Sequence, residues 1–213
     1  MLQSRFLFIG IICMSIFTFV ISSYAGDEIE DLIDIAESNS KIIAIIEGKK
    51  KVTYNLRPNE KVLWSGSRGH LGAFLTDQQF YVISTSRNSW HALTLKLSES
   101  GKVMASISPY IALLVTEDRA IGFDSTSNRF IQAQLPIHDE LVANKVERYV
   151  AVVITSSRAF GFAFGSSTFV EITLLKGETI ESMKLTFRKA TVRTSDRMLS
   201  FEVSGSTWSE IRF

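Results

Sequence analysis

Four threonines, Thr76, Thr116, Thr155 and Thr194, recur at a nearly constant spacing and head gapless stretches of similar pattern. Three residues after each stand Gln79, Arg119, Arg158 and Arg197. Seven after stand Ile83, Phe123, Phe162 and Phe201, and fourteen after stand Trp90, Phe130, Phe169 and Trp208. Four before each lies a small residue: Gly72, Ala112, Ala151 or Ala190. A fixed period of this size means one supersecondary unit used repeatedly, with neighbouring copies burying each other.

Each unit divides into four strands. In the second copy they are Lys102–Ser108, Ile111–Thr116, Arg119–Asp124 and Arg129–Leu135. Two polar residues join the second and third strands, Glu117-Asp118 here and Asp77-Gln78, Ser156-Ser157 or Ser195-Asp196 elsewhere, which makes tight hairpins. The second strand is apolar almost throughout, as in Val150 to Ile154, so both its faces are buried. The fourth alternates, Ile172 and Leu174 against Glu171 and Thr173, so one of its faces meets water.

This combination resembles the β-propeller class over residues 60 to 213, on period and strand count. No Trp-Asp dipeptide closes a repeat, so the WD40 pattern is absent. A β-solenoid and stacked sandwich modules are the competing architectures. The expected fold class is all-β, a propeller-like array with repeats at 60–98, 99–137, 138–176 and 177–213. An additional hairpin at 41–57 resembles the last two strands of a unit, with Leu56 at the place of Leu95. Eighteen strands, or about four and a half blades, leave an open edge that needs cover.

The segment before the hairpin reads as an amphipathic helix within 26–40. Ile29, Leu32, Ile33 and Ala36 fall at i, i+3, i+4 and i+7, with acidic residues on the other face. That stripe is expected to cover the open edge or to join a second protomer.

Residues 1–25 carry the pattern of a signal peptide: Arg5, an apolar run from Phe6 to Ser22, and Ser23-Tyr24-Ala25 before Gly26. An uncleaved membrane anchor is the alternative, since a run of that length sits at the lower limit for a span. The single cysteine, Cys13, lies in this leader, so the rest of the chain has no disulfide and no thiolate metal site. Of the 23 Lys and Arg, Arg5 alone lies in the leader, which leaves 22 basic against 22 acidic residues. A balanced chain is not a non-specific nucleic-acid binder, which needs a basic excess. The expected location is periplasmic or secreted.

The strongest recurring polar signal is Arg119, Arg158 and Arg197, with Gln79 at the same place in the first copy. A circle of guanidinium groups suits a carboxylate or phosphate; the framework alternative is that each pairs with an acid of its own chain. His70 shares its register with Tyr110, Tyr149 and Arg188 at the start of the second strand. His70, His91 and His138 have no metal-ligand spacing, and no nucleophile elbow, phosphate-cradling glycine loop or HExxH is present. No cofactor is expected. The reading is a non-enzymatic binding or scaffolding module for a protein or a small anionic ligand. A homodimer through the open edge or the helix is a further expectation. The alternative is a hydrolase or lyase with carboxylates, or a carboxylate and His70, at one mouth of the ring.

Overall fold

The computed structural model describes residues 29–99 and 103–213. The expected signal peptide at 1–25, the start of the expected helix at Asp27 and Glu28, and Lys102 lie outside the described residues. The first sheet contains β1 (Ile33–Ser38), β2 (Lys41–Ile46) and β3 (Lys50–Asn55). The second contains β4 (Val62–Arg68), β5 (Leu71–Thr76), β6 (Gln79–Ser84) and β7 (His91–Thr94). The third contains β8 (Met104–Ile107), β9 (Ile111–Val115), β10 (Arg119–Asp124) and β11 (Phe130–Gln134). The fourth contains β12 (Leu141–Glu147), β13 (Val150–Thr155), β14 (Arg158–Ala163) and β15 (Val170–Thr173). The fifth contains β16 (Ile180–Leu185), β17 (Lys189–Thr194), β18 (Arg197–Glu202) and β19 (Thr207–Arg212). Every sheet is an antiparallel meander in chain order. This is a propeller-type array of blades.

First strands of successive complete sheets come within 8 Å of one another in Cα position, β4 to β8, β8 to β12 and β12 to β16. The blades therefore converge along their first strands. The second and third strands, β5 and β6 or β9 and β10, are buried at every position. The hydrophobic run in the second strand announced half of this. In the third and fourth sheets Gly122 and Gly161 help bury the third strand by admitting rings from the next blade. A Cβ on Gly122 would lie 2.7 Å from the Phe162 ring, and one on Gly161 would lie 2.5 Å from Phe201.

The four aromatic residues of the period occupy one register. Phe130 pairs with Phe123 across the hairpin and Trp208 with Phe201. Ring centroids are 5.1 Å apart for Phe123–Phe130, 4.9 Å for Phe162–Phe169 and 5.2 Å for Phe201–Trp208. Trp90, Phe130, Phe169 and Trp208 each fill the space toward the preceding sheet. Such rings bring large apolar area plus about 0.5–1.5 kcal/mol per pair.

The expected helix is a strand. Residues 33–38 pair with β2 in continuous register from Ile33↔Ile46 to Ser38↔Lys41. A helix of one dozen residues is marginal in water. The strand gives its backbone a ladder and drives Ile33 fully into the core beside Ile83. The helical stripe does not act as one face: Ile33 is buried, while Ala36 is exposed. The described residues thus hold nineteen strands where eighteen were expected. β1 to β3 correspond to the second, third and fourth strands of a complete blade. Leu56 N–H donates to Ser40 O at 2.9 Å, just as Leu95 donates to Gln78 and Leu135 to Asp118 at 2.8 Å.

Among the described residues, each hydrophobic cluster joins consecutive sheets, and none joins the fifth to the first. The fifth sheet turns a polar face outward. Lys189, Thr191 and Arg193 alternate with buried Ala190, Val192 and Thr194 on β17, and Lys189–Glu202 and Arg193–Glu181 pair there. A terminal unit of a stacked array is expected to wear such a polar face.

Candidate functional site: a stacked aromatic row

Each second strand runs between two different ends of the array. β5 starts beside His70 and finishes at Thr76 next to Gln79, so the sequence-predicted site residues separate. Gln79, Arg119, Arg158 and Arg197 lie at one end, and His70 lies at the other.

At the threonine end the period explains itself. Each threonine hydroxyl accepts the N–H three residues on, from Gln79, Arg119, Arg158 and Arg197, at 2.9–3.1 Å. Each also donates to a carboxylate: Glu60, Glu99, Asp139 or Glu178. These acids stand four residues after Leu56, Leu95, Leu135 and Leu174. That spacing is visible in the sequence, although nothing in the sequence alone ties it to the threonines. Arg119 closes a two-pronged pair on Glu99, 2.6 Å on each prong, and adds Thr94 O and Gln132. Arg197 does the same with Glu178, Thr173 O and Glu210. Burial pushes the Glu99 and Glu178 carboxyls up, but hydrogen bonds from their arginines and threonines outweigh it and leave both below the usual range. These guanidinium groups spend their donors inside the chain.

The second and fourth sheets vary this unit. With Gln79 in place of arginine, Glu60 takes Tyr81 OH at 3.3 Å and Tyr54 OH at 3.2 Å. In the fourth sheet Asp139 is one methylene shorter than glutamate. It accepts Thr155 and Ser157 hydroxyls at 2.5 and 2.6 Å. Elsewhere the carboxylate also takes the N–H of Arg57, Lys96 or Leu175. The corresponding residue here is Pro136, which has no N–H to give. Arg158 turns outward instead to Glu171 at 2.9 Å. A cleft of about 540 Å³ opens beside this variant unit, with Asp118, His138, Asp139 and Glu140 among its walls. Burial raises the Asp139 carboxyl, and the bonds from Ser157 and Thr155 carry it back below its ordinary value. A general acid needs the opposite shift. Among the described residues no group of His, Cys, Asp and Glu is arranged to hold a metal ion.

The other end carries a row built from one register position. His70, Tyr110, Tyr149 and Arg188 each precede a second strand. Their carbonyls accept the N–H of Thr85, Ser125, Phe164 and Val203 at 2.9–3.1 Å, and Leu32 O takes Glu47 N in the first sheet. Backbone bonds also cross between blades at this level: Leu32 N to Gly69 O, His70 N to Pro109 O and Tyr149 N to Phe187 O. Neighbouring blades are thereby held at a ring's spacing. His70 stacks on Tyr110 at 5.0 Å and Tyr110 on Tyr149 at 4.7 Å, at interplanar angles of 25° and 16°. Arg188 closes the row 5.6 Å from the Tyr149 centroid. Phe164 sets its edge against both tyrosines. Beside it, Arg148 lies 4.0 Å from the Phe187 ring centre. His70 Nδ1 reaches Thr85 Oγ1 at 3.1 Å, which fixes the imidazole in line. Burial, together with a hydrogen bond to Tyr149, pushes the Tyr110 phenol up.

His70, Tyr110 and Tyr149 are half-buried, Arg188 is exposed, and Phe187 leaves 48% of its surface in water. Tyrosine, phenylalanine and arginine gathered in one partly exposed strip form the composition that dominates protein-binding hot spots. The repeat places these four residues in one register, but of the four only His70 stands out from sequence as a binding candidate.

No family model matches the sequence. No curated protein matches it either. Among solved structures it is similar to Prp20p of Saccharomyces cerevisiae (7% identity, TM-score 0.46), over 83% of this chain and 57% of that one. It is similar to Hsv2p of Kluyveromyces lactis (9%, TM-score 0.41), over 85% and 60% of the two chains. It is also similar to the N-terminal domain of Nup159 (10%, TM-score 0.39), over 85% and 58%. The chain spans less than two thirds of the length of these solved chains. All three are β-propeller proteins. The propeller-type assignment of the present chain rests on its own sheets.

Proposed function

We propose that the protein is a non-enzymatic binding module that docks a protein partner on the end bearing the stacked row. The observation that carries this reading is the row itself: His70, Tyr110, Tyr149 and Arg188, aligned across four blades and rimmed by exposed Phe187. Residues already stacked in the free protein lose little conformational entropy when a partner arrives. The depressed carboxyl of Asp139 speaks against its use as a general acid in the neighbouring cleft. Residues 1–25 act as a signal peptide in this proposal, which puts the module in the periplasm or outside the cell. Mass spectrometry of the product from its native host checks that part: the expected N-terminus is Gly26, and a mass retaining residues 1–25 overturns it.

Docking is tested with a photo-crosslinking amino acid placed at position 187, and in parallel at position 175 on the opposite end. Leu175 is comparably exposed, at 43%. One discrete crosslinked protein from position 187, absent from position 175 and lost in the Tyr149→Ala background, is the expected result. No adduct, or the same adducts from both positions, overturns the reading.

A further inference from the structure

We propose that the row recognises an acidic, extended protein segment; this rests on the docking reading above and specifies what the site selects. The chain as a whole is close to neutral, at +1, but its charges are sorted. Arg188 ends the row and Arg148 covers Phe187. Arg68 ends β4, Arg87 sits in the turn between β6 and β7, and Arg129 precedes β11, so these three guanidinium groups and that of Arg188 belong to this end. Three of the carboxylates near them are committed to local bonds, and Glu147 accepts the Arg148 backbone N–H at 3.3 Å. Asp31 accepts Gly69 N–H at 2.6 Å, Asp124 accepts Thr126 and Ser127 N–H at 2.8 and 2.9 Å, and Glu202 pairs with Lys189 at 3.1 Å. Arginine presents a planar fork that matches a carboxylate and sheds its water more easily than lysine does.

The row also decides between acidic polymers. Single-stranded nucleic acid binds aromatic residues by stacking bases on open ring faces. Here both faces of Tyr110 are covered, by His70 and Tyr149, and Arg188 lies over the outer side of Tyr149. What the row offers to a visitor is ring edges, which carry the positive rim of the quadrupole. Edges and guanidinium groups together favour carboxylates. Four groups spaced 4.7–5.6 Å apart are matched by about five residues of extended chain at ~3.3 Å each.

The probe is a fluorescent twelve-residue peptide alternating glutamate and serine, followed by anisotropy against the whole protein. Binding that weakens with salt is expected, as is a loss of roughly tenfold or more in Arg188→Glu. Arg158→Glu at the opposite end is expected to bind as the parent does, with the circular dichroism of the folded parent in both variants. Equal binding of an alternating glutamine and serine peptide overturns the acidic preference. Tighter binding of a thymidine dodecamer overturns the choice of a protein segment. Failure of the acidic peptide while position 187 still captures one partner overturns this inference and leaves docking intact. Failure of both overturns both.

Discussion

The two ends of the array are made by the same period, yet they treat charge in opposite ways. At the threonine end, two of the three arginines and their carboxylates face inward. Arg119 and Arg197 are 8% and 3% exposed, and their carboxylate partners are buried with them. At the row end, arginines stand at the rim and rings fill the interior of the strip. Buried pairs fix geometry at a desolvation cost, whereas rim charges cost the fold little. The difference teaches that a recurring arginine in a repeat is a framework signal first. The docking proposed above falls instead on the position whose residue type varies: His70, Tyr110, Tyr149 and Arg188.

The sharpest way to break this comparison is Arg119→Ala. It leaves the Glu99 carboxylate, 0% exposed, without its cation, and removal of one partner from a buried pair costs about 3–5 kcal/mol. Urea unfolding should show that loss with an unchanged slope. A loss below about 1 kcal/mol, the range of an exposed pair, would mean that the threonine end is not a framework.

The period, the four-strand unit, the shared register of the four rings and the last two strands of the first sheet were all legible in the sequence. They depend on side-chain alternation and fixed spacing, which a linear chain displays directly. β1 was not legible, because Ile33 and Ile35 fit a strand while Ile29, Leu32, Ile33 and Ala36 fit a helix. Only pairing with β2 decides between the two. The carboxylates were hidden for another reason. Glu60, Asp139 and Glu178 keep one common separation from their threonines, and Glu99 stands one position further from its own, so the repeat slips by one in the third sheet. The anion-binding circle expected of Arg119, Arg158 and Arg197 rested on register alone. Register places residues on a circle but does not reveal which acids reach them first.

Acid should separate the ends in two steps. Burial, helped by the Arg87 charge, lowers the His91 pKa from 6.5, and its Nε2 has no hydrogen-bond partner among the described residues. A depressed histidine favours the fold while neutral, so this contribution is complete above pH 6.5 and is lost as pH falls below it, when the unfolded chain takes the proton. Glu99 and Glu178 are depressed from 4.5, so their contribution is complete above that value and is lost as pH falls through their lowered values. Stability measured between pH 7 and 3 should therefore fall in two phases. His91→Leu should remove the first and leave the second. A single phase in the parent would merge the two ends into one electrostatic unit.

Tyr149→Ala tests the row as structure. It removes contacts with Tyr110, Phe164 and the Arg188 guanidinium. Aromatic pairs are worth about 0.5–1.5 kcal/mol each beyond area, so a loss of about 1–3 kcal/mol is expected. Calorimetry of Tyr149→Ala beside Tyr149→Phe separates stacking from the phenol. If Tyr149→Phe loses as much as Tyr149→Ala, a hydrogen bond rather than the stack holds this end.

The smallest effect should come from Arg158→Ala, and it is the one that sharpens the comparison most. Arg158 occupies the same register as Arg119 and Arg197, yet its side chain is 40% exposed and its partner Glu171 is 52% exposed. An exposed pair is worth about 0–1 kcal/mol and fades with salt. The same substitution at three equivalent places should therefore give two large losses and one near zero. The cause lies in Pro136 and Asp139, which remove the N–H and shorten the carboxylate that would draw Arg158 inward. Restoring both, with Pro136→Lys and Asp139→Glu, should recruit Arg158 to the interior. Arg158→Ala in that background should then cost more than it does in the parent. If the cost stays near zero, the outward turn of Arg158 has another cause, and the correspondence between the three units is weaker than their shared spacing implies.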